Sequence, residues 1–245
     1  MKILIVLSFF ATAVLCNPPN STFVELEIYP EEMGRSILMK GIQSGSRGSR
    51  IVLGDAAGAN QFPYFSYIVI YRSSTSIFCG GSLISQLWVL TAAHCMNDIK
   101  AAQVYFGSTD KTKMKISQSA KGFFIHPSYN SPSYLANDIG ILKLVAPVPL
   151  STSVKVIQLP TRSDTSKSFK GVLMFVSGFG KTTTGYPQNL HFTKIVGFSD
   201  AECLAAHWVF TNEMLCGVGA FDEGSSVCSG DSGKFKGKSR KLFSS

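Results

Sequence analysis

The chain has 245 residues, 45% of them hydrophobic and only 16% charged, a composition that supports a large buried core and excludes disorder over the whole length. Its formal net charge of +8 would suggest a nucleic-acid or membrane-surface partner if it were spread over a face. It is not: Lys234, Lys236, Lys238, Arg240 and Lys241 supply five positives and residues 51–233 carry a net of only +2, so neither a nucleic-acid nor a membrane partner is expected.

Met1-Lys2 precede an apolar run from Ile3 to Cys16, which Asn17-Pro18-Pro19 ends. One positive charge followed by an apolar stretch shorter than the roughly 20 residues of a membrane span is the pattern of a secretory signal peptide, so residues 1–16 are expected to be removed and the protein to be secreted and extracellular. Residues 17–50 are polar and irregular, with Pro18, Pro19, Pro30 and a Gly/Ser/Arg cluster from Gln43 to Arg50. Such a segment is accessible to proteases and reads as a propeptide. Asn20-Ser21-Thr22 within it is an N-glycosylation sequon, with Asn20 the acceptor.

From Ile51 the texture changes to short β-rich runs punctuated by Gly, Pro, Asn and Ser. Strands are expected at Phe65 to Tyr71, Gly81 to Thr91, Ala102 to Gly107 and Lys113 to Ser119, then at Ile139 to Leu144, Val172 to Ser177 and Phe192 to Phe198. A helix is plausible around Asp200 to Trp208, and a single helical turn after His94. Many short strands at this spacing predict an all-β sandwich or barrel.

Five cysteines remain once Cys16 leaves with the signal peptide: Cys79, Cys95, Cys203, Cys216 and Cys228. In an exported chain an odd number means a free thiol, an intermolecular bridge or a missing partner. His, Cys and Asp nowhere show metal-ligand spacing, so neither a metal nor another cofactor is expected.

Three separated motifs carry chemistry. Thr91-Ala92-Ala93-His94-Cys95 follows Gly80-Gly81-Ser82-Leu83-Ile84, Asn137-Asp138-Ile139-Gly140-Ile141-Leu142 comes second, and Cys228-Ser229-Gly230-Asp231-Ser232-Gly233 third. A serine hydroxyl needs an adjacent base to attack, a histidine serves as that base only when one tautomer is held, and a buried aspartate can hold it. Glycine beside the serine lets backbone N–H groups approach a developing oxyanion. The other histidines, His126, His191 and His207, match no such role.

By these motifs residues 51–233 resemble the trypsin/chymotrypsin family of serine proteases, whose template triad runs His, Asp, Ser in the same chain order. The resemblance implies a double antiparallel β-barrel. It makes Ser232 the nucleophile, His94 the general base and Asp138 the orienting carboxylate, with the N–H groups of Gly230 and Ser232 as oxyanion hole. It also implies a zymogen cut after Arg50, whose new Ile51 amine pairs with Asp231, although Leu53 stands where the family more often has glycine. Disulfides Cys79–Cys95 and Cys203–Cys216 are implied, with Cys228 left unpaired. Ser226, six positions before the nucleophile, would leave the specificity pocket with a neutral floor and favour cleavage after large apolar or aromatic residues. Expected partners are protein or peptide substrates, an activating protease and protein protease inhibitors, with the enzyme acting as a monomer in a digestive role.

Beyond Gly233 the family continues with Gly-Pro and a Ser-Trp-Gly strand, whereas residues 234–245 read Lys-Phe-Lys-Gly-Lys-Ser-Arg-Lys-Leu-Phe-Ser-Ser. The expectation is therefore a second barrel left incomplete, a basic tail foreign to the family, and little peptidase activity in the chain as written. The alternative reading is a non-catalytic secreted homologue that binds a partner or inhibitor; retention of all three triad positions argues against it.

Overall fold

The computed structural model describes residues 55–131, 136–180, 185–206, 214–219 and 237–238. Its first half is a closed barrel built from six antiparallel strands: β2 (Phe65–Arg72), β3 (Ser76–Ser85), β4 (Trp88–Thr91), β5 (Ile99–Phe106), β6 (Ile116–Ile125) and β7 (Gly140–Leu144). They pair around the barrel in the order β2-β3-β4-β7-β6-β5, with β5 returning to β2. Alternation explains the closure. Ile68 and Ile70 of β2, Val104 and Phe106 of β5, and Leu142 and Leu144 of β7 all point inward at period two and are fully buried.

The second sheet contains β1 (Asp55–Ala56), β8 (Leu173–Gly178), β9 (His191–Gly197), β10 (Gly217–Gly219) and β11 (Gly237–Lys238). Its path runs β1-β9-β8-β11, with β10 also paired to β9, and among the described residues it does not close. Met174, Val176 and Ile195 form its own small core. The architecture is thus all-β, with a closed first barrel and a second sheet that is open among the described residues. Phe62 bridges the two units, its ring 6.5 Å from Phe175 and 5.3 Å from Phe192.

Two strand expectations are corrected. The run from Gly81 to Thr91 is not one strand but the end of β3 and all of β4, joined by Gln86-Leu87. That turn contains no Gly, Pro, Asn or Asp; the Ser85 hydroxyl accepts the Leu87 N–H instead, and Gln86 docks by its backbone and side chain on Val148. The strand expected from Lys113 starts only at Ile116, because Asp110 folds residues 110–113 into a turn, accepting from the Thr112 N–H and hydroxyl. Helix α1 spans Asp200–Ala206 and a 3-10 turn spans Ala93–Met96, both near where helical structure was expected. A second 3-10 turn at Arg162–Ser166 carries a capping box between Thr161 and Asp164.

Candidate active site

His94 and Asp138 meet at one end of the first barrel, where His94 follows β4 and Asp138 precedes its neighbour β7, with Thr91 opposite Gly140. Strand β4 ends at Thr91, whose hydroxyl donates to the buried carbonyl of Gly80 at 2.9 Å. Ala92 and Ala93 follow, both fully buried; their small side chains let the chain turn directly over the barrel end. The 3-10 turn Ala93–Met96 then presents His94 with its ring a quarter exposed.

Asp138 arrives just before β7. Asn137 adopts a left-handed backbone (φ 55°), which asparagine tolerates better than most residues, and its side-chain amide donates to the carbonyls of Ser128 and Ser131. This reverses the loop and aims Asp138 inward. Gly140, two residues on, has no Cβ because one would overlap Met96, the buried last residue of the His94 turn. Strand and turn can therefore close on each other.

The carboxylate of Asp138 is 2% exposed, and both its oxygens serve one residue. Oδ2 lies 2.7 Å from His94 Nδ1 and Oδ1 accepts the His94 backbone N–H at 2.7 Å. A buried carboxylate facing Nδ1 keeps the proton on that nitrogen and leaves the lone pair on Nε2. The ring is consequently set up to take a proton on its outer nitrogen.

Cys95, the next residue, is disulfide-bonded to Cys79 on β3, which ties the turn to the barrel wall. A second bridge joins Cys203 of α1 to Cys216. Cys79, His94 and Cys95 form a group of possible metal-ligating atoms among the described residues. Both sulfurs are engaged in the bridge and Nδ1 faces Asp138, so only Nε2 is available and the group does not suit a metal. On the other side, Arg72 at the end of β2 donates from Nη2 to the carbonyls of His94 and Cys95 at 3.3 and 3.4 Å.

Of the remaining residues singled out in the sequence, Ser232, Gly230, Ser226, Asp231, Cys228, Arg50, Ile51 and Asn20 lie outside the described residues, as does His207. His126 accepts the N–H of Ser128 on Nδ1, and His191 Nδ1 lies 2.8 Å from the carbonyl of Asn189; each is occupied locally. Sequence reasoning placed Asn137 in the Asp138 motif without a role and missed Arg72. Asn137 carried a signal, an asparagine directly before a motif aspartate, while Arg72 had none, its contacts lying 22 and 23 residues away.

The model of the trypsin family matches residues 51–234. Pig (Sus scrofa) trypsin is 34% identical over 191 residues, covering 75% of this chain and 78% of the relative. A chymotrypsin of Phaedon cochleariae is 31% identical, covering 75% and 67%. A collagenase of Hypoderma lineatum is 29% identical, covering 76% and 71%. Among solved structures, one of HL collagenase superposes with a TM-score of 0.69 at 28% identity, covering 76% of this chain and 80% of the other. Sequence, fold and barrel architecture converge: the chain belongs to the trypsin family and is, by that family, a serine endopeptidase.

Proposed function

We propose that this endopeptidase works through a triad of His94, Asp138 and Ser232, with the backbone N–H groups of Gly230 and Ser232 stabilising the oxyanion. The observation that carries the reading is the His94–Asp138 pair, in which both carboxylate oxygens are engaged at 2.7 Å and the outer ring nitrogen is left as the base. In the reaction His94 Nε2 takes the Ser232 proton as its oxygen attacks the scissile carbonyl, then returns it to the leaving amine; Asp138 stays ionised and steadies the imidazolium. The protein is secreted behind residues 1–16 as a zymogen, and a protease cutting after Arg50 frees the Ile51 amine to pair with Asp231. Such a pair acts as a switch, because one partner does not exist before cleavage. Ser226 leaves the primary pocket uncharged, which favours peptides with large apolar or aromatic residues before the cut and suits a digestive role.

Specificity is read as the ratio of two peptides cleaved under the same conditions. The test incubates full chain, cut after Arg50, with a Phe-containing and an Arg-containing chromogenic peptide. Release from the Phe peptide in excess, lost in H94A, is the expected result. Preferential cleavage of the Arg peptide would overturn the specificity, and cleavage unaffected by H94A would overturn the mechanism.

A further inference from the structure

Asp138 fixes His94 through its peptide nitrogen and its ring, but neither bond holds the carbonyl end of the residue. That end is met by Arg72, the last residue of β2. Its Nη2 donates to the carbonyl of His94 at 3.3 Å and to that of Cys95 at 3.4 Å. A 3-10 turn of four residues leaves such carbonyls without a partner of its own, and Asn97 beyond it is extended. The same β2–β3 turn makes a second tie, from the Ser73 hydroxyl to the carboxylate of Asp98, which itself has a left-handed backbone (φ 54°). It is closed by a bond from the Arg72 N–H to the Thr75 carbonyl at 2.8 Å.

The guanidinium is an unusual tenant of this place. Among the described residues it pairs with no carboxylate, and its Nε is buried without a hydrogen-bond partner. A buried, unsatisfied N–H on a cation costs stability, so Arg72 is not accounted for as a stabilising ion pair. Its polar contacts converge instead on the two carbonyls that bracket the Cα of Cys95 and end the His94 peptide.

We propose that Arg72 is a positioning residue for His94. The quarter-exposed ring is held firmly at Nδ1, and its Nε2 meets only the Cys95 sulfur at 3.7 Å, a weak partner that does not set its direction, so its aim depends on a backbone fixed at both ends. Asp138 anchors the peptide nitrogen and Arg72 the carbonyls, so together they set where Nε2 points. The inference rests on the reading that Nε2 serves Ser232, and it adds to that reading the group that aims it.

The experiment compares full chain, cut after Arg50, with R72M and R72K, after thermal melts have shown each to be folded. Two readouts are taken: the rate at which a fluorophosphonate labels Ser232, separated into initial binding and covalent reaction, and the NMR signal of the His94 Nδ1 proton shared with Asp138. Losing aim by a fraction of an ångström to an ångström costs about 10- to 100-fold in rate. R72M should react that much more slowly with unchanged initial binding and show a broadened Nδ1 proton; R72K, which keeps one donor, should recover part of both. Wild-type rate and an unchanged signal in R72M overturn the inference. If the wild-type chain itself does not label, the Ser232 reading fails, and the Nδ1 proton alone decides the role of Arg72: broadening in R72M supports it, a sharp unchanged signal overturns it. Should R72M not fold, the same comparison is made with R72K, for which intermediate values support the inference and wild-type values overturn it.

Discussion

Both carboxylate oxygens of Asp138 are engaged by one residue, which makes a specific prediction about its isostere. In D138N the amide offers one acceptor and one donor, so it cannot accept both the Nδ1–H and the backbone N–H of His94. The ring is then driven to the wrong tautomer with its packing intact. The rate of fluorophosphonate labelling should fall by roughly 10⁴, the factor by which kcat drops for the corresponding change in the family's template triad, while the melting temperature moves little. Asn137 makes a complementary case. N137A puts a Cβ-bearing residue without a local hydrogen-bonding side chain at φ 55° and removes two bonds that close the loop. It should cost about 1–2 kcal/mol in chemical denaturation, and N137G should recover only the backbone part.

The ends of the elements carry the charged groups whose ionisation is tied to the fold. Glu202 on α1 accepts from the N–H and hydroxyl of Ser199 and pairs with Lys170, which together hold its carboxyl down at about 2. Thr112, with Gln188 and Lys113 in support, holds Asp110 well below the usual carboxylate range, and Lys167 and Thr161 do the same for Asp164. In the unfolded chain these groups titrate near 4. On acidification the unfolded state therefore binds protons first, so the stability they contribute is complete above about pH 5 and is lost as pH falls through 4 toward 2. All three are solvent-accessible, so the effect is modest. Melts between pH 6 and pH 2.5 should show a declining midpoint, with a shallower decline in E202Q; an equal slope in the variant would contradict the assignment.

Element ends are also where sequence reading succeeded and failed for physical reasons. Strands β2 and β7 were legible because each is a short run of β-branched, aromatic or aliphatic residues bounded by turn residues. The break between β3 and β4 was not, because Gln86-Leu87 turns on the Ser85 hydroxyl and a docking contact 62 residues away, neither of which is a local signal. The late start of β6 depends on Asp110, whose turn is completed by Gln188, 78 residues on. His94 and Asp138 stood out because each lies in a string of residues whose types are all constrained: alanines that permit a turn, an asparagine that permits a left-handed backbone, a glycine that permits close approach. Arg72 acts through two backbone carbonyls, and a carbonyl leaves no mark on a sequence.

Across the whole molecule, the chain begins its described course in the second sheet, where β1 pairs with β9, and crosses into the first barrel at Phe62. The crossing is fixed by backbone bonds from Ala57 to Leu190 and from Leu190 to Thr109, and by the Gln188 amide on Asp110. Among the described residues the units are also coupled by Phe179, which packs on Phe65 and Tyr67, and by Tyr186 on Phe78. F62A removes a partly buried ring that touches Tyr64, Phe175 and Phe192 and should cost about 2 kcal/mol, less than a fully buried Phe. The Cys79–Cys95 bridge spans 16 residues, so C79S/C95S should cost about 3 kcal/mol by loop entropy, and it also loosens the turn that presents His94.

The central claim is that His94, oriented by Asp138, activates Ser232. Peptide mapping by mass spectrometry of the full chain, cut after Arg50 and treated with a fluorophosphonate, tests it most directly. The account predicts a single adduct on Ser232 in the wild-type chain and its loss in H94A; an adduct elsewhere, none at all, or one indifferent to H94A would contradict it.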